Sequence, residues 1–254
     1  MMIQLENVTK ILGTRNVLDG VNLEVRKGET LVIVGPSGTG KSVTLKHMVR
    51  LMTPDEGRIV VDGRVVSEAS GQELESIRDQ FGVLFQGGAL LEWLDVAENV
   101  ALPLREKTKL SNDEIMAKVI EKLTMVGLEK DIDKFPAEIS GGMRKRVGLA
   151  RAIVTNPKII LYDEPTSGLD PVSSRMIDRL IEHLRVELGV TSVVVTHDLH
   201  SALSIGTRIA MLFQGKIIEL AEPAEFVKSK VEEVQQFLEA QFITVRGEWE
   251  KHGL

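Results

Sequence analysis

The sequence predicts an α/β fold: a parallel sheet with helices on both faces, a strand-rich first third and a helical middle. Three observations carry this. Residues 2–66 are dominated by β-branched runs punctuated by Gly20, Gly28, Gly57 and Gly63. From Ile159 onward short apolar strands alternate with helical patterns, which short right-handed connections turn into a parallel sheet. Between the two, Ile115, Val119, Leu123 and Val126 recur at helical spacing.

Taken in order, strands are expected over residues 2–12, 17–26, 30–35 and 57–66, with a further one at Phe81-Gly82-Val83-Leu84-Phe85. A helix is expected from Val43 to Leu51. Ser111 with Glu114 three residues on forms a capping box, and Gly127 supplies the matching stop. Another helix begins at Ser140. Its apolar face is Met143, Val147, Ala150 and Val154, and Arg144, Lys145, Arg146 and Arg151 read as a solvated face. The strand Ile159-Ile160-Leu161-Tyr162, a helix from Pro171 to Leu188 ended by Gly189, and the strand Ser192-Val193-Val194-Val195 follow. Residues 208–220 read as a hairpin with Gly215-Lys216 near the turn. After Phe226, the apolar positions Val231, Val234, Phe237 (or Leu238) and Phe242 mark a short amphipathic helix, followed by a charged tail containing Trp249. This extension either caps the domain or crosses to a second subunit.

Composition narrows the function. At 254 residues the chain fits one α/β domain with a subdomain. A net charge of −6 leaves no surplus of Lys and Arg to neutralise phosphates, so nucleic acid is not expected as a partner. The absence of cysteine excludes disulfides, thiol catalysis and cysteine-ligated metal. The chain opens on strand-like Ile3–Val8, so no signal peptide is expected. No apolar run approaches the ~20 residues that span a bilayer, which makes any membrane role peripheral.

The chemistry is concentrated in Gly35-Pro36-Ser37-Gly38-Thr39-Gly40-Lys41-Ser42, a phosphate loop set between an apolar strand and a helix. Its glycines let the backbone curl until successive N–H groups face a triphosphate, and the helix that follows presents its positive end to the same anion. Lys41 is placed to bridge the β- and γ-phosphates and Ser42 to sit on Mg²⁺. Thr44 is counted with the loop among the nucleotide contacts. Downstream, the apolar strand Ile159–Tyr162 ends in Asp163 and Glu164, delivering two carboxylates to the sheet edge where such folds bind ligands. Asp163 suits a Mg²⁺ shell; Glu164 suits activation of a water.

Further motifs stand in order along the chain: Gln86 after its strand, Ser140-Gly141-Gly142, Ser167-Gly168-Leu169-Asp170 and Thr196-His197-Asp198. With the phosphate loop and the acidic strand, the ordered set resembles the ATP-binding subunits of ABC transporters over roughly residues 2–230. The resemblance implies a RecA-like P-loop NTPase core with an N-terminal antiparallel β subdomain and an inserted α-helical subdomain at about 88–155. That domain would fill residues 1–230, with a C-terminal helical extension and tail at 231–254. It also implies ATP and Mg²⁺ as ligands, Glu164, His197, Gln86 and Lys41 as catalytic residues, and Ser42, Gln86 and Asp163 as the metal set. Two copies are implied to pair head to tail, so that Ser140, Gly141 and Gly142 close the other copy's ATP; Asp170 is carried over as a nucleotide contact. His197 is implied to meet the γ-phosphate and the attacking water, and Gln86 to relay occupancy to an integral membrane permease.

Two departures refine the resemblance. Leu12 stands where the family usually stacks an aromatic on adenine, forgoing about 1 kcal/mol of stacking. Met143 replaces the usual glutamine after Ser140-Gly141-Gly142. Together with Leu84-Phe85-Gln86-Gly87-Gly88-Ala89-Leu90 and Asn99-Val100-Ala101-Leu102-Pro103-Leu104-Arg105-Glu106, this is similar to the Mla-type lipid-transport ATPases, which serve complexes containing MCE-domain proteins. An amino-acid or other small-solute importer subunit is the alternative. Either reading puts the chain on the cytoplasmic face of a bacterial inner membrane, with Trp93 near the permease groove. A soluble ATPase of translation or repair would bring a second cassette or an insertion, and a phosphotransferase would lack Ser140-Gly141-Gly142.

Overall fold

Thr30–Val34 are all buried, and the two faces of this strand meet different layers. Leu31 and Ile33 pack with the N-terminal strands, whereas Val32 and Val34 pack with the later helices. The same alternation recurs at Ile159 and Leu161 against Ile160 and Tyr162, and at Val193 and Val195 against Val194. A strand sandwiched in this way sees no water on either face, which is why these segments are continuously apolar.

In the computed structural model, which describes residues 1–241, the chain runs β1 (Ile3–Leu12), β2 (Arg15–Val25), β3 (Thr30–Val34), α1 (Lys41–Met48), β4 (Glu56–Val61), β5 (Arg64–Val65), α2 (Gly71–Arg78) and β6 (Phe81–Leu84). It continues through α3 (Val96–Lys107), α4 (Asn112–Met125), α5 (Gly141–Ile153), β7 (Ile159–Asp163), α6 (Pro171–Leu188), β8 (Thr191–Val195) and α7 (Leu199–Ile205). It ends with β9 (Arg208–Phe213), β10 (Lys216–Ala221), α8 (Pro223–Phe226) and α9 (Glu232–Glu239). One sheet has the order β10-β9-β3-β8-β7-β6, parallel except for β10 at its edge. The other is antiparallel, β2-β1-β4-β5. Between β6 and β7 the chain makes α3, α4 and α5, the expected helical segment.

Local signals place most boundaries. The Ser111–Glu114 capping box starts α4, and Gly127 (φ 67°) follows its end. Asp170 and Pro171 start α6, which Gly189 stops in a left-handed conformation. The strand expected over 57–66 is instead two short strands, because Asp62 and Gly63 both take positive φ and turn the chain back on itself. The hydrophobic side of α9 is Val234 and Leu238, both buried, with Phe237 partly covered. Phe242 and Trp249 lie outside the described residues.

One reading of the sequence fails. The basic side chains of α5 do not form a solvated face. Arg144 donates to the carbonyls of Pro136 and Ile139, Arg146 to those of Val126 and Gly127, and Arg151 to that of Gly88. Lys145 is only 3% exposed and donates to the Glu164 carbonyl at 3.0 Å. The reason is supply: loops around α5 bring carbonyls that no helix or sheet ladder satisfies, and long basic stems reach them while packing along apolar neighbours.

Candidate active site

The site forms at the C-terminal ends of β3, β7 and β8, which are neighbours in the sheet. The loop after β3 turns at Gly35, whose φ of 150° is open to glycine; a Cβ there would lie 2.2 Å from the Leu212 carbonyl oxygen. Gly35→Ala is therefore expected to lower stability by about 3 kcal/mol, the upper end of ordinary single-residue effects, read as a fall in the thermal unfolding midpoint. Gly40 (φ 105°) is the N-cap of α1 and supplies no side-chain acceptor, so the first-turn N–H groups are left for an anion. A Cβ on Gly40 would meet the Val17 carbonyl at 2.8 Å, which shows how closely the β1–β2 hairpin descends on the loop.

Lys41 is buried, and its Nζ donates to the carbonyls of Gly35 at 2.8 Å and Pro36 at 3.0 Å. Glu164 lies 3.9 Å from it. Desolvation pulls the Lys41 pKa below the usual lysine range, opposed by the Glu164 and Asp163 carboxylates. The Ser42 hydroxyl donates to Asp163 Oδ1 at 2.7 Å, joining the phosphate loop to the end of β7.

Glu164 has φ 50°, uncommon for a side chain with a Cβ. Hydrogen bonds on both sides hold it there: its N–H donates to the Val195 carbonyl at 2.9 Å and its own carbonyl accepts from Lys145. The carboxylate is thereby aimed at His197, with Oε2 2.8 Å from Nδ1. A carboxylate only accepts, so Nδ1 carries the proton and Nε2 is the ring's remaining polar contact. Lys145, read from the sequence as solvated, is buried beside Glu164, and burial lowers its pKa. One signal existed: Lys145 lies four and seven residues before Leu149 and Ala152, on a buried line of the helix.

An open cleft of about 440 Å³ collects Leu12, Ser37, Gly38, Gly40, Lys41, Ser42, Gln86, Glu164 and His197, all expected there, with Ser167. Val17 and Val43 also line it and had not been singled out; no motif marks them, because the hairpin's descent brings Val17 in. Gly35, Pro36 and Thr39 shape the loop from behind, Thr39 Oγ1 donating to the Pro36 carbonyl at 3.0 Å. Thr44 must be corrected. It is fully buried and its hydroxyl donates to the Gly40 carbonyl at 3.1 Å, the back-bonding typical of a threonine inside a helix, so it does not reach the cleft. Asp170 is likewise absent from the cleft: its Oδ1 caps α6 by accepting from Val172 and Ser173 N–H. Ser140, Gly141 and Gly142 stand apart from the cleft of their own chain. Ser140 caps α5 through the Met143 N–H at 3.2 Å, and a Cβ on Gly141 or Gly142 would sit 3.6 Å from Leu169 or Ser173, beside the start of α6.

The donor set suits Mg²⁺. A hydroxyl (Ser42), a carboxylate (Asp163) and an amide oxygen (Gln86) are hard oxygen ligands. These three protein oxygens would leave the remaining positions around the ion to substrate phosphates and water.

A phosphate loop on the central strand, paired acids on its second neighbour and a histidine on the strand between them define a P-loop nucleotide-hydrolysing cassette. The profile of the family described as ABC transporter matches residues 18–167. The chain is 44% identical over 236 residues to a probable ribonucleotide transport ATP-binding protein, Mkl, of Mycobacterium leprae, covering 93% of this chain and 68% of that one; for the Mycobacterium bovis protein of the same name the second share is 66%. It is 39% identical over 240 residues to the intermembrane phospholipid transport system ATP-binding protein MlaF of Haemophilus influenzae, covering 94% and 91%. It is 40% identical over 225 residues to the methionine import ATP-binding protein MetN of Geobacillus kaustophilus, covering 87% and 66%. Among solved structures, the dimeric post-hydrolysis state of the ATP-binding cassette MJ0796 with ADP and Pi superposes with a TM-score of 0.80 at 38% identity, covering 87% of this chain and 99% of that one. The chain belongs to the ABC transporter family, as an ATP-binding and ATP-hydrolysing subunit. No helix among the described residues is long and apolar enough to cross a membrane.

Proposed function

We propose that this subunit powers an Mla-type lipid transporter from the cytoplasmic face of a bacterial inner membrane, as a head-to-tail dimer bound to an integral permease and an MCE-domain lipid-binding protein. The observation that carries the lipid assignment is the joint presence of Met143 after Ser140-Gly141-Gly142 and the strings Leu84–Leu90 and Asn99–Glu106. A relative named for intermembrane phospholipid transport is matched over 91% of its length. Trp93, 73% exposed next to the loop after β6, supplies an aromatic anchor for the permease. The placement of Ser140–Gly142 beside α6, off their own cleft, and the dimeric MJ0796 cassette support the dimer.

Hydrolysis in this reading is in-line attack of water on the γ-phosphoryl group. Glu164 accepts the water's proton, and His197, bonded to Glu164 through Nδ1, turns Nε2 to the water as an acceptor, or donates from it to the γ-phosphate when both ring nitrogens carry protons. Lys41 and the loop N–H groups hold the charge that develops on the phosphate oxygens, and Gln86, which lines the cleft, aligns the water. Mg²⁺, held by Ser42, Asp163 and Gln86, would supply neutralisation of phosphate charge. Residues 1–230 form the ATPase domain and 231–254 its extension.

Purification of the tagged chain from detergent-solubilised membranes tests the assignment. A permease and an MCE-domain protein are expected to accompany it. Recovery with an amino-acid importer's permease instead would replace lipid transport with the alternative reading, and recovery with no membrane protein would remove transport altogether.

A further inference from the structure

Gln241, two residues beyond α9, reaches back to the loop that carries His197. Its Nε2 donates to the His197 carbonyl at 2.8 Å, and its Oε1 accepts from the Leu199 N–H at 2.9 Å. One amide therefore grips the main chain on both sides of Asp198. The Leu199 N–H is a first-turn donor of α7 that the helix itself cannot satisfy. Asp198, the N-cap, is already used elsewhere: it accepts from Ser201 N–H, and its Oδ2 is bonded by Arg175 and the Ser201 hydroxyl. The loop is thus held from the α6 side by Arg175 and from the C-terminal side by Gln241.

Gln241 has a firm base. Val234 and Leu238 bury α9 against the core, and the Gln241 N–H donates to the Leu238 carbonyl. The His197 side chain has none: it is 56% exposed, and its ring bonds only Glu164 among the described residues. An imidazole so little constrained by packing takes its position from its backbone. A second cleft, of about 610 Å³, shares Ser167 and His197 with the nucleotide cleft and is lined in part by Gln241.

We infer that Gln241 is a positioning residue for ATP hydrolysis: it fixes the backbone of the His197 loop, and through it the imidazole against Glu164, without touching nucleotide. The inference rests on the proposed role of His197 and extends control of the chemical step to a segment outside the ATPase core.

The test uses the full-length chain. Gln241→Leu keeps the stem and removes both hydrogen bonds; kcat for ATP hydrolysis is expected to fall about tenfold, with KM and ATP affinity within about twofold. Gln241→Glu keeps the acceptor for Leu199 and loses the donor to His197, and is expected to fall between the two. In single-turnover assays, adding Gln241→Leu to His197→Ala should cost nothing further, since both act through one imidazole. Wild-type kcat in Gln241→Leu, or an equal loss with and without His197, would overturn the inference; a loss explained wholly by a lower fraction of folded protein in thermal unfolding would do the same. Wild-type turnover in His197→Ala alone would bring down the reading of the site itself, a result distinct from the others.

Discussion

Replacement of Glu164 by glutamine is expected to leave ATP binding intact while cutting kcat by about 10²–10⁴, the range that a lost general base accounts for. The amide matches the carboxylate in size, and the backbone bonds that hold the unusual φ, to Val195 and from Lys145, do not involve the side chain. The variant should therefore fold with its loop in place. What it lacks is a group that can take a proton from water. It also removes one negative charge 3.9 Å from Lys41, which spares the incoming γ-phosphate a repulsion. ATP should accordingly persist on the variant, and closed dimer should accumulate in size-exclusion chromatography with ATP and Mg²⁺. Turnover at the wild-type rate would refute the role given to this carboxylate.

Lys41→Ala acts one step earlier, on binding. The ammonium is buried at the floor of the cleft, held by two loop carbonyls and faced by Glu164 and Asp163. Each charge-assisted contact to phosphate that it would make is worth about 1.5–3 kcal/mol, or roughly ten- to a hundredfold in Kd for one such contact. Its removal also leaves the Glu164 carboxylate, only 14% exposed, without its cation, so triphosphate is opposed as well as unassisted. Equilibrium binding of a fluorescent ATP analogue should weaken accordingly while the unfolding midpoint shows whether the loop has survived. Unchanged affinity would show that the lysine serves the loop alone.

Much of this site could be read from residues in a row. The phosphate loop, the acids ending β7 and the histidine ending β8 lie next to the strands that deliver them, and adjacency in sequence becomes adjacency in space at one sheet edge. What escaped depends on distance along the chain. Arg151 finds the Gly88 carbonyl 63 residues away, and Lys145 finds that of Glu164, so a run of basic residues that looks solvated in one helix is spoken for by loops it does not adjoin. Helix α3, within the helical subdomain expected at about 88–155, carries Pro103 inside it, and Val96, Val100 and Leu104 are buried in the core despite the lost backbone bond. Asp170 directly before Pro171 is a local helix-start signature, and its Oδ1 caps α6 through the Val172 and Ser173 N–H groups.

The ties along α5 have a mechanical consequence. One rod of thirteen residues grips the turn after β6 through Arg151 and the peptide of Glu164 through Lys145, with Ser140 at its tip. Both anchors are buried or half-buried side chains bonded to main-chain oxygens. A displacement of α5 would therefore carry the Gly88 turn and the Glu164 peptide with it, so that the two ends of the helix move as one lever.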